Sequence, residues 1–191
     1  MDKIYVMIPA RGGSKRLLRK NIFPVLGKPM LLYTIDAAKK SRFIKEEDIY
    51  VSTEDHEIKM LAEKHCKVVD RPVELAGDKV WTQDVIDHFI EKLQINEEDI
   101  VVVLQANSPE ITAEIIDRGI ELLLQHKLWQ VHSVDQDFIN NGAIQIMRSK
   151  VGKHRGKPNY NGVVITDWID LHTLEDVQQV EERLKQKGYG A

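Results

Sequence analysis

The sequence predicts an α/β fold of three layers, a mostly parallel sheet with helices on both faces. Three observations carry this: short runs that are apolar throughout, helical repeats that alternate with them, and polar breaks between the two. A strand covered on both faces has no polar side, so it reads as continuous apolar sequence rather than as alternation. Strand–helix alternation of this kind belongs to parallel sheets.

The elements follow in order. KIYVMI (3–8) is the first buried strand. In LGKPMLLYTIDAAKKS (26–41), Gly27 is expected to make a turn, Pro29 suits a first helical position, and apolar residues recur at helical spacing. DIYVST (48–53) is a strand and DHEIKMLAEKH (55–65) a helix. CKVVDRP (66–72) is a short strand entering a loop, and TQDVIDHFIEKLQ (82–94) is an amphipathic helix for which Thr82 is the candidate cap. DIVVVLQ (99–105) is the strongest buried-strand signal; after the break ANSPE (106–110) comes the helix TAEIIDRGIELLLQH (112–126) and a strand at QVHSV (130–134). Shorter apolar pieces lie at GAIQIM and GVVIT, separated by an irregular basic stretch, RSKVGKHRGKPNYNG (148–162). The last helix opens at Thr173-Leu174-Glu175-Asp176, a capping box, with Leu174, Val177, Val180 and Leu184 on one face.

A chain of 191 residues fits one domain, 1–191, large enough for a continuous core. A net charge of −3 argues against a general nucleic-acid binder, and no apolar run is long enough to span a membrane. A single cysteine, Cys66, allows no internal disulfide, and no signal-peptide pattern precedes the first strand, so a cytoplasmic protein is expected.

Ligands of open α/β sheets bind beyond the carboxyl ends of the strands. Four segments are expected there: the loop 9–21, Arg71 with its loop, QANSP (105–109) and the acidic stretch 167–172. The first carries two glycines and five basic residues without an acid. Gly12 and Gly13 are able to adopt positive φ and bring N–H groups, with that of Ser14, towards an anion; Arg11 adds a forked cation and Lys15 a compact one. That is equipment for a triphosphate and a pyrophosphate leaving group, although a short loop of this composition also describes a solvated basic turn. It matches neither the Walker A pattern nor G-x-G-x-x-G.

IPARGGSKRLLRKNI resembles the N-terminal signature of the acylneuraminate cytidylyltransferases, which activate sialic-type acids and Kdo as CMP-sugars. GKPMLLYTI, IYVSTED, DRPVELAGD, TQDVI, VLQANSP and NNGAI are similar to later blocks of that family in register, and IDLHTLED to its closing metal block. The resemblance implies a nucleotide-diphospho-sugar transferase-like, Rossmann-like fold. It also implies a reaction in which the anomeric hydroxyl of a keto-sugar acid attacks the α-phosphorus of CTP and pyrophosphate leaves. Carried over by residue, it gives Arg11 and Lys15 catalytic work on the triphosphate, with Gly12, Gly13 and Ser14 in the same loop. Asn21 goes to the ribose or base region, and Arg71, Thr82 and Gln105 complete the nucleotide pocket. Asp170 and His172 stand at the metal block, where Mg²⁺ or Mn²⁺ is implied. The implied partners are CTP and an anionic sugar acceptor, with no nucleic acid and no membrane.

The pattern departs at Leu18, where the family usually has Pro, and more strongly in two other places. His172 replaces a second carboxylate, and imidazole suits Mg²⁺ poorly. The segment between 134 and 170 is short where the family carries sugar-binding and dimer-forming sequence, so a homodimer is left open; Lys150, Lys153, His154, Arg155 and Lys157 are candidates to meet a carboxylate. Two other readings stay open: a non-catalytic nucleotide-binding homologue, and a nucleotidyltransferase for another nucleotide or acceptor.

Overall fold

The computed structural model describes residues 2–153 and 160–189. Its main sheet has seven strands in the order β5-β4-β1-β6-β8-β7-β9, formed by β1 (Ile4–Pro9), β4 (Ile49–Thr53), β5 (Lys67–Asp70), β6 (Ile100–Leu104), β7 (Gln130–Val134), β8 (Asn140–Arg148) and β9 (Asn161–Ile165). β1 pairs in parallel with both β4 and β6, and β4 with β5; β8 runs antiparallel to β6 and β7, and β9 is parallel to β7. The expected mostly parallel α/β sheet is what forms.

Alternate residues of each strand feed different layers. Val6 and Ile8 of β1, Val51 of β4 and Val102 and Leu104 of β6 pack with α1 (Met30–Lys40), α2 (His56–Ala62) and α4 (Ala113–Gln125) on one face. Met7, Tyr50, Val101 and Val103 pack on the other against α3 (Thr82–Leu93), where Tyr50 meets Phe89 edge-on at 5.6 Å between centroids. A third cluster joins α6 (Leu174–Gln186) to the N-terminal end of α1 through Val177, Val180, Leu184, Met30 and Tyr33.

Several local expectations need correction. Pro29 does not open α1; it closes a two-residue ladder between β2 (Pro24–Val25) and β3 (Lys28–Pro29), and the helix starts at Met30. The turn of that hairpin takes positive φ at both Leu26 (47°) and Gly27 (75°), the geometry that suits a two-residue hairpin. Thr82 is the first helical residue of α3, with Trp81 at the cap position and no side-chain cap bond. GAIQIM is part of a nine-residue strand, and the basic stretch begins with a short helix, α5 (Ser149–Lys153). Leu174 does not share the buried face of α6 but stands 60% exposed. The capping box forms: Thr173 Oγ1 accepts from the Asp176 N–H at 3.2 Å, and Asp176 Oδ2 accepts from the Thr173 N–H at 2.7 Å.

Candidate active site

β1 has chain neighbours leaving in opposite directions, β4 and β5 to one side and β6 to the other, so a crevice opens beyond the carboxyl ends of β1 and β6. A cleft of about 470 Å³ lies there, lined among others by Pro9, Arg11, Ser14, Lys15, Arg16, Lys20, Asn21, Arg71, Thr82, Gln105, Asn107 and His172. Eight of the sequence-derived candidates thus share one cavity. Gly12, Gly13 and Asp170 do not line it.

The loop between β1 and α1 is held from several sides. Ala10 donates its N–H to the Ser52 carbonyl at 3.0 Å, extending the β1–β4 ladder. The buried Asn21 amide donates to the Arg11 carbonyl at 2.9 Å, so Asn21 fixes the loop while facing the cleft. Neither Gly12 nor Gly13 has positive φ. Gly12 is small for another reason: a Cβ there would come within 2.8 Å of Asp55 Cγ, and its N–H already serves Glu54 Oε1 at 2.8 Å. Gly13 faces open space.

The cations of this loop take three separate paths. Arg11 Nη1 pairs with Asp78 Oδ1 at 2.9 Å and donates to the Ala76 carbonyl at 3.2 Å, while Lys15 pairs with the other oxygen of the same carboxylate. These ion pairs, first of all the Lys15 ammonium, hold the Asp78 carboxyl below the usual range. Arg19, in a left-handed conformation at φ 57°, turns away to Asp55 (2.7 Å) and Glu57. Arg16 Nη2 donates to His172 Nδ1 at 2.9 Å, and Lys20 Nζ lies 3.5 Å from the same nitrogen. Burial lowers the Lys20 ammonium, partly countered by the charge of Asp170.

Arg71 follows β5 and reaches under the loop. It is 7% exposed, its Nη2 donates to the Ser52 carbonyl at 2.6 Å and its Nε to Ser52 Oγ at 3.2 Å. Burial lowers its guanidinium to about 10, so it stays charged at neutral pH. No carboxylate lies within ion-pair distance of it among the described residues, although the charge of Glu54 acts on it. Gln105 follows β6; its N–H goes to the Ala143 carbonyl and its carbonyl accepts from Thr34 Oγ1, and its side chain is part of the cleft lining.

At the far end, Asn107 donates its amide to Asp170 Oδ1, and Asp170 Oδ2 meets His172 Nε2 at 2.7 Å. The partners assign the tautomer: Nδ1 faces two N–H donors and accepts, so the proton sits on Nε2 and points at the carboxylate. The one ring lone pair of His172, on Nδ1, thus faces Arg16 and Lys20. Both Asp170 oxygens thus have a partner, and each keeps a further lone pair. Among the described residues no three His, Cys, Asp or Glu side chains converge as a ligand set.

Sequence reasoning passed over Asp78, Asn107 and the pairing of Arg16 and Lys20 with His172. Of the basic stretch, Lys150 binds Glu98 Oε1 at 2.7 Å beside the N-terminal end of β6, the opposite end of the strand from the cleft. His154, Arg155 and Lys157 lie outside the described residues. No described helix is long and apolar enough to cross a membrane.

Residues 5–149 match the family model described as Cytidylyltransferase. The chain belongs to that family. It is 35% identical over 131 residues to the N-acylneuraminate cytidylyltransferase of Streptococcus agalactiae serotype III, and 35% identical over 125 residues to the pseudaminic acid cytidylyltransferase of Campylobacter jejuni serotype O:2. Those matches take in 68% and 63% of this chain but only 31% and 53% of the relatives' length. Among solved structures, one of a CMP:2-keto-3-deoxy-manno-octonic acid synthetase complexed with CTP superposes with a TM-score of 0.79, covering 97% of this chain and 100% of the other at 16% identity. A cytidylyltransferase of Leptospira borgpetersenii gives 0.71 over 97% and 88%, at 19% identity. At those identities the cytidylyltransferase fold is what is shared.

Proposed function

We propose that the chain transfers CMP from CTP to a keto-sugar acid of the sialic, pseudaminic or Kdo type, releasing pyrophosphate. The observation that carries this reading is the convergence of Arg11, Lys15 and the buried Arg71 with the unengaged Gln105 amide on one cleft. Arg11 and Lys15 bind the triphosphate and stabilise charge on the departing pyrophosphate. Arg71, fixed on Ser52, supplies a permanent positive charge under the loop; Gln105 offers a donor and an acceptor to the base edge. Asn21 holds the loop against drift through the Arg11 carbonyl, and exposed Thr82 lines the cleft with Ser14. Asp170 would hold Mg²⁺ or Mn²⁺ carried by the nucleotide, which neutralises phosphate charge. The acceptor hydroxyl attacks the α-phosphorus and gives up its proton to solvent water, while the bond from the α-phosphorus to the bridging β-phosphate oxygen breaks and pyrophosphate leaves.

Incubation with CTP, Mg²⁺ or Mn²⁺ and a panel of keto-sugar acids should release pyrophosphate, and Lys15→Ala should cut turnover by about 10²-fold or more, as expected for lost preorganised charge. Absence of both CTP-dependent thermal stabilisation and pyrophosphate release would sink the proposal. The engaged His172 favours a second reading, a nucleotide-binding homologue without turnover; its signature is stabilisation by CTP with no pyrophosphate from any acceptor.

A further inference from the structure

We propose that Glu54, which stands outside the cleft, is a positioning residue of the nucleotide site. One of its oxygens fixes the loop after β1 at Gly12, and its charge balances Arg71 while leaving that guanidinium's donors for the ligand. It rests on the nucleotide-transfer reading above.

Glu54 comes directly after β4, in a segment that clamps the loop at two points. Its Oε1 accepts from the Gly12 N–H at 2.8 Å, and the neighbouring Asp55 takes Arg19 at 2.7 Å. Asp55 uses both oxygens, since Oδ1 also accepts from the Ile58 N–H at 2.9 Å at the start of α2. Glu54 does not: its Oε2 is buried with no hydrogen-bond partner among the described residues. A buried carboxylate oxygen left unpaired is costly, and a glutamine would serve Gly12 without that cost. The charge itself is what a glutamate adds at this position.

That charge has a buried cation to act on. Arg71 is 7% exposed, and the charge of Glu54 favours its charged form against the repulsion of Arg11. Yet Glu54 does not grip the guanidinium, which is held by Ser52 through Nη2 on the carbonyl and Nε on the hydroxyl. Of five N–H donors, two are spent on Ser52, which leaves three among the described residues. A direct bidentate pair would consume donors, whereas a carboxylate at one remove offsets the charge and leaves them. Arg71 lines the cleft and Glu54 does not, so those donors are offered to a ligand. His88 of α3 also senses Arg71, but burial, with the charges of Lys92 and Arg71, lowers it and keeps it neutral at pH 7. The counterion work is thus divided: Asp78 serves Arg11 and Lys15 within the cleft lining, and Glu54 serves Arg71 from outside it.

The test uses the full chain with CTP and Mg²⁺, read by thermal denaturation, by CTP binding and by kinetics with N-acetylneuraminate or 3-deoxy-manno-octulosonate. Glu54→Gln keeps an oxygen for Gly12 and removes the charge. Without CTP it should melt below wild type, and it should bind CTP about threefold more tightly, because phosphate then supplies the missing negative charge. Glu54→Ala loses the anchor as well, and its kcat should fall at least about tenfold below that of Glu54→Gln. A role in folding alone would lower both melting temperatures and leave CTP affinity unmoved, which overturns the charge assignment. Equal kcat values for the two variants overturn the anchor. In an Arg71→Gln background, adding Glu54→Gln should raise the melting temperature; additive losses would overturn the link to Arg71. If wild type binds CTP but turns over neither acid, the transfer step fails while affinities and melting temperatures still decide the role of the Glu54 charge. If CTP binds neither wild type nor variants, the nucleotide reading falls and takes this role with it.

Discussion

Gly12 and Gly13 are neighbours in sequence and opposites in surroundings. Gly12 is pressed against Asp55 and holds Glu54 through its N–H, whereas Gly13 has nothing within 4 Å of where a Cβ would stand. Gly12→Ala should therefore lower stability by about 1–3 kcal/mol, the usual cost of overpacking, while Gly13→Ala should be neutral or stabilising by up to about 1 kcal/mol. Thermal denaturation of the two variants side by side checks this; equal losses would refute the assigned contacts. The same pair marks the limit of reading a loop from its letters. That the cations of 11–20 crowd the loop after a buried strand was legible in the sequence, while a ligand for them was an expectation drawn from the family resemblance. Their division was not, because it is decided by partners far along the chain: Asp55 is 36 residues from Arg19 and His172 is 156 from Arg16. Glycine's use as a spacer beside an acid, rather than as a positive-φ residue, is likewise invisible without the neighbour.

Helix α6 shows how a terminal element reaches the cleft. Its buried face, Val177, Val180 and Leu184, docks on α1, and Glu110 ties it down through Arg183 Nε at 2.8 Å and Lys187 Nζ at 3.1 Å. Its first turn carries the cap that also receives the His172 N–H. Thr173→Ala should cost about 1 kcal/mol of stability, the typical worth of an N-cap, and should depress turnover beyond what the stability loss explains because His172 loses its footing. Chemical denaturation together with steady-state kinetics separates the two effects; a stability loss with unchanged kinetics would detach α6 from the cleft. This cap was readable because it is local, four consecutive residues with their own hydrogen bonds. The caps of α1 and α3 were misplaced by one residue, since the β2–β3 hairpin claims Pro29 and the exposed Thr82 caps nothing.

For the molecule as a whole, both faces of the sheet are filled, and the strand cores at Val6, Val102 and Leu104 were plain in sequence because doubly covered strands are apolar without interruption. The antiparallel course of β8 was not, since direction depends on which neighbour a strand pairs with and not on its own residues. Cys66 packs against the larger core cluster, and burial raises its thiol from an ordinary 9.0 to about 11. The folded state thus keeps the proton that the unfolded chain gives up. Its contribution to stability is intact below about pH 9 and is lost as pH rises through about 11, at a slope approaching 1.4 kcal/mol per unit. Denaturant titrations at pH 8 and pH 10.5 should show a larger alkaline loss for wild type than for Cys66→Ala; parallel losses would remove the thiol as the cause.

Asp78 gives the cleft an unusual condition. Its two oxygens are clipped to Arg11 and Lys15, so the loop after β1 and the loop before α3 are fastened together by one carboxylate in the lining of the cleft. The protein in effect carries its own counterion. If Arg11 and Lys15 serve the triphosphate as proposed, the incoming anion has to displace Asp78, which lies on the segment that leads to Thr82 and the first turn of α3. On that reading, binding at this mouth is an ion exchange in which the departing partner belongs to the loop that borders the newcomer.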